Sequence, residues 1–493
     1  MEQTVQPARL AQAQIRTILF GVVLAMLLGA LDQTIVATAL PTIGRELHDV
    51  QNLSWIVTAY LLTSTAVTPL YGKLSDIHGR RWAMMLAIAI FLGGSIACAL
   101  STNIYVLIAM RGLQGLGGGG LISLGQTIIG DVVPPRERGR YQAYFASIFV
   151  TASIAGPVLG GFFAEHLHWS FIFWINLPLG LAAYLLTNHV LKLLPRHERP
   201  HRIDVVGALL MVVATVALLL ALSIGGDTGA WTSPAIIGLF LASLVFWGLF
   251  GLRLARAAEP FIPLSVLGHS VVRNGVLSAF FAVGAMIGLS VYLPLHFEAV
   301  LGLTASQSGL ALIGFMGATV AGATTAGRIM VHVERYKRAA VVGMAIGTLA
   351  LVMLAIWPTQ LSLVGVEVVL VVAGLGLGTV YPISTTAVQN AVPPHQLGTT
   401  TGVLNFFRSL GSAILVATMG AVFLATAAAR VPGGTSVQAV ILQGGGEGVD
   451  FGPIFGAVFW TAAISSALGL VFMILMKELP LRGHNHPPAI EAG

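Results

Sequence analysis

Gln114-Gly115-Leu116-Gly117-Gly118-Gly119-Gly120, followed by Val133-Pro134-Pro135 and Gly139, recurs later in the chain as Ala373-Gly374-Leu375-Gly376-Leu377-Gly378-Thr379, followed by Val392-Pro393-Pro394 and Gly398. Both pairs are displaced by the same 259 residues, so the chain contains two related halves in the same order and orientation. Two six-span halves would repeat at about 200 residues, since a span and its loop take little more than the ~20 apolar residues that cross a bilayer. The surplus leaves room for one extra helix pair between the halves.

Composition places those halves in lipid. Of 493 residues, 56% are hydrophobic and 9% are charged, against about 25% charged in an ordinary soluble domain. The 58 glycines suit helices that approach closely where no hydrophobic drive exists between them, which favours a helical bundle over a β-barrel. A net charge of +6 would raise the question of nucleic acid in a soluble chain. Here the basic residues are spread through short loops and serve topology instead. Cys98 is the sole cysteine, so neither a disulfide nor a cysteine metal site can form within the chain.

A 20-residue ruler gives fourteen candidate spans. With the N-terminus placed in the cytoplasm, 21 of the 25 Lys and Arg fall on the cytoplasmic side, Arg45 and Arg430 fall outside, and Arg111 and Arg408 lie within spans. A missed or invented span would invert this bias in every later loop, so the alternation supports fourteen spans with both termini cytoplasmic. The expected architecture is an all-α polytopic membrane protein of 6 + 2 + 6 helices. It comprises an N-terminal half over 1–191, a linker with the inserted pair over 192–273, a C-terminal half over 274–476 and a cytoplasmic tail over 477–493.

Ionisable residues inside spans are costly and mark function by default. Asp32 lies in Leu31-Asp32-Gln33-Thr34-Ile35-Val36, and Arg111 shares a helical face with Gln114 and Gly115. Counted from the expected outer ends of their spans, which for the first is residue 39, just before Leu40-Pro41, both sit about 10 Å deep, so they can pair. A carboxylate beside a movable cation can carry a proton, with protonation freeing the arginine and deprotonation recapturing it; a purely structural ion pair is the competing interpretation. Glu367 in span twelve is a candidate second proton site or a contact for cationic substrate. Arg408 is a candidate cavity residue. No phosphate-binding G-x-x-x-x-G-K-[ST] loop, no H-E-x-x-H and no Ser-His-Asp set stands out, so neither ATP-driven transport nor an enzymatic role is expected.

The loop Gly72-Lys73-Leu74-Ser75-Asp76-Ile77-His78-Gly79-Arg80-Arg81 resembles the signature loop of the major facilitator superfamily. With the span count, it is most similar to the fourteen-span drug/proton antiporters of the EmrB/QacA type. The family pattern has an arginine where Ile77 stands, and the second-half counterpart has Val331 in place of the aspartate. The resemblance implies that Gly72, Asp76, Gly79, Arg80 and Arg81 form a cytoplasmic gate, that Asp32 and Arg111 couple protons, and that Gly156-Pro157-Val158-Leu159-Gly160-Gly161 in span five is an antiporter motif. It also implies a bacterial cytoplasmic-membrane location, proton-gradient energy without a bound cofactor or metal, and hydrophobic or cationic substrates. Trp55, Tyr60, Gln114, Phe145, Tyr381, Asn405, Phe406 and Arg408 are the expected cavity residues. Movement of a lipid or lipid precursor, entering from the bilayer past the inserted helices, is the alternative.

Overall fold

The computed structural model describes residues 12–49, 52–193, 204–228, 230–428 and 450–481, and their regular structure is helical throughout. In the first half α1 is Gln12–Glu46, α2 Leu53–His78, α3 Arg80–Ala99, α4 Ile104–Val132 and α5 Pro135–His166, with α6 (Phe171–Trp174) and α7 (Asn176–Val190) forming one broken span. The inserted pair is α8 (Val205–Thr228) and α9 (Pro234–Arg256), followed by the short α10 (Leu264–Gly268). The second half contains α11 (Ser270–Leu301), α12 (Ala305–His332), α13 (Lys337–Ile356), the broken pair α14 (Leu363–Gly378) and α15 (Val380–Asn390), α16 (Leu397–Ala428) and α17 (Gly452–Leu475).

Twelve spans among the described residues are long and apolar enough to cross a membrane. Helices α4 and α5, of 29 and 32 residues, fill the two other expected positions but lie outside that set. In α4 the glycine run, Arg111 and Gln114 dilute the apolar character. The fourteen-span count is therefore not reached on length and hydropathy alone. The part of the expected linker over 194–203 and the tail from 482 onward lie outside the described residues.

Local signals set several boundaries. The Asn103 side chain caps α4 by accepting from the Val106 N–H at 2.9 Å. Thr304 and Gln307 form a reciprocal capping box at the start of α12. One boundary departs from expectation. Pro41 marks the expected end of span one, yet α1 continues through it to Glu46, since a helix tolerates the lost bond when neighbouring segments support it.

The halves meet along two seams, α2 against α16 and α5 against α12. Helix α8 lies over the first seam, touching both α2 and α16, and α9 packs on its back. Leu62, Leu219, Phe406 and Leu410 form the apolar cluster that glues α8 there. Asp204 ties down the start of the pair, accepting from the Gly207 N–H and from Arg253 Nε, both at 3.0 Å. The outward faces are apolar; Leu244 and Val364 are 70% and 72% exposed, as a lipid-facing surface requires.

Candidate functional site

Asp32 and Arg111 form an ion pair at 2.6 Å, with 0% and 1% of their side chains exposed. Asp32 lies 14 residues before the end of α1 at Glu46, about 21 Å along the axis, so the shallow depth expected from an α1 ending at 39 is corrected by the overrun of that helix. The pairing does not depend on it, because α1 and α4 pack against each other.

The carboxylate is saturated with donors. Arg111 Nη1 donates to Oδ2, while Gln114 Nε2 and Asn176 Nδ2 donate to Oδ1 at 2.8 and 3.0 Å. Arg111 also donates to Gln114 Oε1 at 2.7 Å and to the Ile56 carbonyl at 3.1 Å. Its guanidinium sits 4.4 Å from the Tyr60 ring centroid and 5.7 Å from that of Phe173. Asn176 is fixed in turn by Ser95 at 2.9 Å, and Ser95 donates to the Phe173 carbonyl. Such a network keeps a charged pair in a dry interior without leaving either charge unmatched. Asn176 and Ser95 were not singled out from the sequence; a polar residue where an apolar helix begins, between α6 and α7, was the available signal.

At one end of the bundle, Asp76 reaches across the seam to the first turn of α16. It accepts from the N–H groups of Gly398 and Thr399 at 2.9 and 2.6 Å and from Thr399 Oγ1 at 2.7 Å, as a carboxylate should at a positive helix N-terminus. Gly72 packs against the Gly398 backbone so closely that a Cβ would collide with its carbonyl. Gly79 turns the corner from α2 to α3 at φ 90°, a conformation that favours glycine. Arg80 bridges Asp76 at 2.5 Å and Asp131 at 2.6 Å; Asp131, at the end of α4, was missed because its partner lies on another helix. Arg81 stands apart from this cluster and donates to Asn188 Oδ1 within its own half. The second seam closes at the same end, where Arg136 Nε donates to the Val331 carbonyl at 3.0 Å.

A cavity of about 1550 Å³ lies between the halves, and its lining extends to Gly226, Leu295 and Ala428 near the opposite helix ends. The bundle is thus shut at the Asp76 end and hollow toward the other. Tyr381, Asn405 and Arg408 line the cavity as expected from the sequence. Trp55, Tyr60, Gln114 and Phe406 do not. Trp55 and Phe406 pack in the cluster beneath α8, Tyr60 stacks on Arg111, and Gln114 binds Asp32. On α16 the difference is angular: Asn405 and Arg408, three residues apart, share the cavity face, and Phe406 is turned about 100° from Asn405. The Phe145 side chain lies outside the described residues.

Arg408 Nη2 donates to the Tyr381 carbonyl, Ser384 Oγ and Thr385 Oγ1 at 3.1, 2.9 and 2.8 Å. Glu367 is not among the residues that line this cavity. It lines a separate groove of about 370 Å³ with Gln307, Leu310 and Gly314 between α12 and α14. Of the span-five motif, Gly156 and Gly160 meet α1 at Thr34, Ile35 and Thr38, beside Asp32. Pro157 is exposed, and Gly161 has open space where a side chain would stand.

The Major Facilitator Superfamily pattern matches residues 22–192 and again 186–416. The multidrug transporter protein MdtP of Bacillus subtilis is 34% identical over 409 residues, covering 83% of this chain and 75% of that protein. Multidrug resistance protein 3 of the same organism is 31% identical over 412 residues, covering 83% and 80%. Among solved structures, the human organic anion transporter MFSD10 superposes with a TM-score of 0.66 at 19% identity, covering 96% of this chain and 100% of that one; at that identity the likeness speaks to the fold alone. With two matched halves, a shared fold and multidrug-transporter relatives over most of its length, the chain belongs to the Major Facilitator Superfamily and is an integral membrane transporter rather than an enzyme.

Proposed function

We propose that this transporter is a proton-coupled exporter of hydrophobic small molecules, working by alternating access in a bacterial cytoplasmic membrane with the Asp76 end and both termini on the cytoplasmic side. The observation that carries the proposal is the fully buried Asp32–Arg111 pair, one residue from Gln33, which lines the cavity. Protonating Asp32 would remove the negative charge and free Arg111 to redistribute its hydrogen bonds. Deprotonation would restore the pair. Because α1 carries Asp32 and packs on the glycine face of α5, a change at the carboxylate is coupled to a helix of the α5–α12 seam.

The conformation fits the outward-facing member of such a cycle: the basic end is sealed, the cavity faces away from it, and Asp32 is held by three side chains. The apolar lining and the multidrug relatives support a hydrophobic cargo. Lateral lipid entry gains no support at the α2–α16 seam, which α8 covers. In proteoliposomes, Asp32→Asn should abolish pH-gradient-driven transport while substrate exchange down its own gradient continues. Full gradient-driven transport in that variant would remove Asp32 from the mechanism.

A further inference from the structure

We propose that the central cavity selects organic anions, apolar bodies bearing one acidic group, and that Arg408 is the residue that recognises the acid. This rests on the transport reading above and names the substrate class of the same cavity, in place of the cationic compounds expected from the resemblance.

Arg408 is the sole charged residue among the described residues lining the cavity. Its side chain is 3% exposed. Among the described residues, every partner of its guanidinium is a neutral oxygen: the Tyr381 carbonyl, Ser384, Thr385 and, at 3.3 Å, Asn405 Oδ1. The Tyr381 ring lies 4.0 Å from it, and Nε has no partner. Dipoles orient toward a cation without cancelling it, so a full positive charge remains in the cavity wall. Low surrounding polarity makes that charge attract an anion, and repel a cation, far more strongly than in water. Across the cavity, on α4 of the other half, Ser123 Oγ is also buried without a partner and lines the same space. A carboxylate, sulfonate or phosphate monoester would match the charge of Arg408, with an arginine well suited to bind the acid through two oxygens. Leu219, Val291, Phe315 and Phe423 supply apolar wall for the remainder of the molecule.

The test is equilibrium binding to the purified full-length protein in detergent, with no gradient, so that it succeeds or fails independently of proton coupling. Three probes share one apolar body: dansylaminohexanoic acid, its neutral methyl ester, and dansylcadaverine, the cation. Wild-type protein should bind the acid at least about tenfold tighter than the amine, with the ester between them. Arg408→Gln should erase the preference for acid over ester, and Arg408→Lys should keep it; a residue that merely ties α15 to α16 would change all three affinities together. Equal or reversed affinities of acid and amine for the wild type would overturn the proposal, as would an Arg408→Gln protein that still prefers the acid. Should Arg408→Gln fail to fold, the wild-type order of the three probes decides alone. Phosphatidylglycerol displacing the acid more effectively than a soluble aryl carboxylate would reassign the anion site to a lipid headgroup and overturn the soluble-acid assignment.

Discussion

The two halves each bury an arginine within the membrane, and treat it in opposite ways. In the first half Arg111 is neutralised by Asp32, walled in by Tyr60 and Phe173, and removed from the cavity. In the second half Arg408 faces the cavity and, among the described residues, hydrogen-bonds to neutral oxygens alone. The repeat makes the asymmetry sharper. Displaced by 259 residues from Arg111 and Gln114 stand Leu370 and Ala373, both fully buried in an apolar core. The buried ion pair is thus confined to one half and an unmatched charge to the other; under the proposed mechanism, a proton and an anionic cargo need not compete for one group.

Exchanging each arginine for a neutral residue should break this comparison if it is wrong. Arg111→Gln strands Asp32 in a dry interior and should cost about 3–5 kcal/mol of stability, read as a large fall in apparent Tm in detergent. Arg408→Gln strands no charge and should cost about 1–2 kcal/mol. Equal falls would mean that the two environments do not differ as described. Paired removal sharpens the point: Asp32→Asn combined with Arg111→Gln should recover part of the loss, because no lone charge remains.

A smaller effect is expected at the closed end. Asp76→Asn replaces the charge-assisted bonds to Gly398 and Thr399 with neutral ones, a loss of about 1 kcal/mol, so the seal should open more often. With Cys98 the only native thiol, and buried, maleimide labelling of Leu397→Cys should speed up several-fold in the Asp76→Asn background; unchanged labelling would show that the contact does not hold the seal. The smallest effect is expected at Glu367, whose groove is separate from the cavity. Glu367→Gln should alter gradient-driven transport less than about twofold, the scale of a surface change. A loss matching that of Asp32→Asn would place proton chemistry in the second half as well.

Much of the membrane layout could be read from the chain, because hydropathy, charge alternation and the glycine repeat are local or periodic signals. Asp32 and Arg111 were legible for a related reason: charged residues are so rare in apolar helices that few partners exist. The Asp76 loop was legible through its spacing. What could not be read depended on helix rotation and on distant partners. Phe406 and Arg408 are two residues apart but face α8 and the cavity respectively. Asn176 becomes significant only once α7 lies beside α1, and Arg81 bonds to Asn188 on α7 rather than joining the Asp76 cluster. Helix α1 overran its expected end because a proline inside a packed bundle does not stop a helix as it would in water.

The central claim is that Asp32 gives up or takes a proton as cargo binds. The direct measurement is proton exchange between the purified protein and a weak buffer, followed with pyranine on adding neutral dansylaminohexanoic acid methyl ester, whose own charge does not change. Wild-type protein should release or take up protons in proportion to bound ester, and Asp32→Asn should bind it with no exchange. Undiminished exchange by Asp32→Asn, or binding to the wild type with no proton moved, would contradict the account.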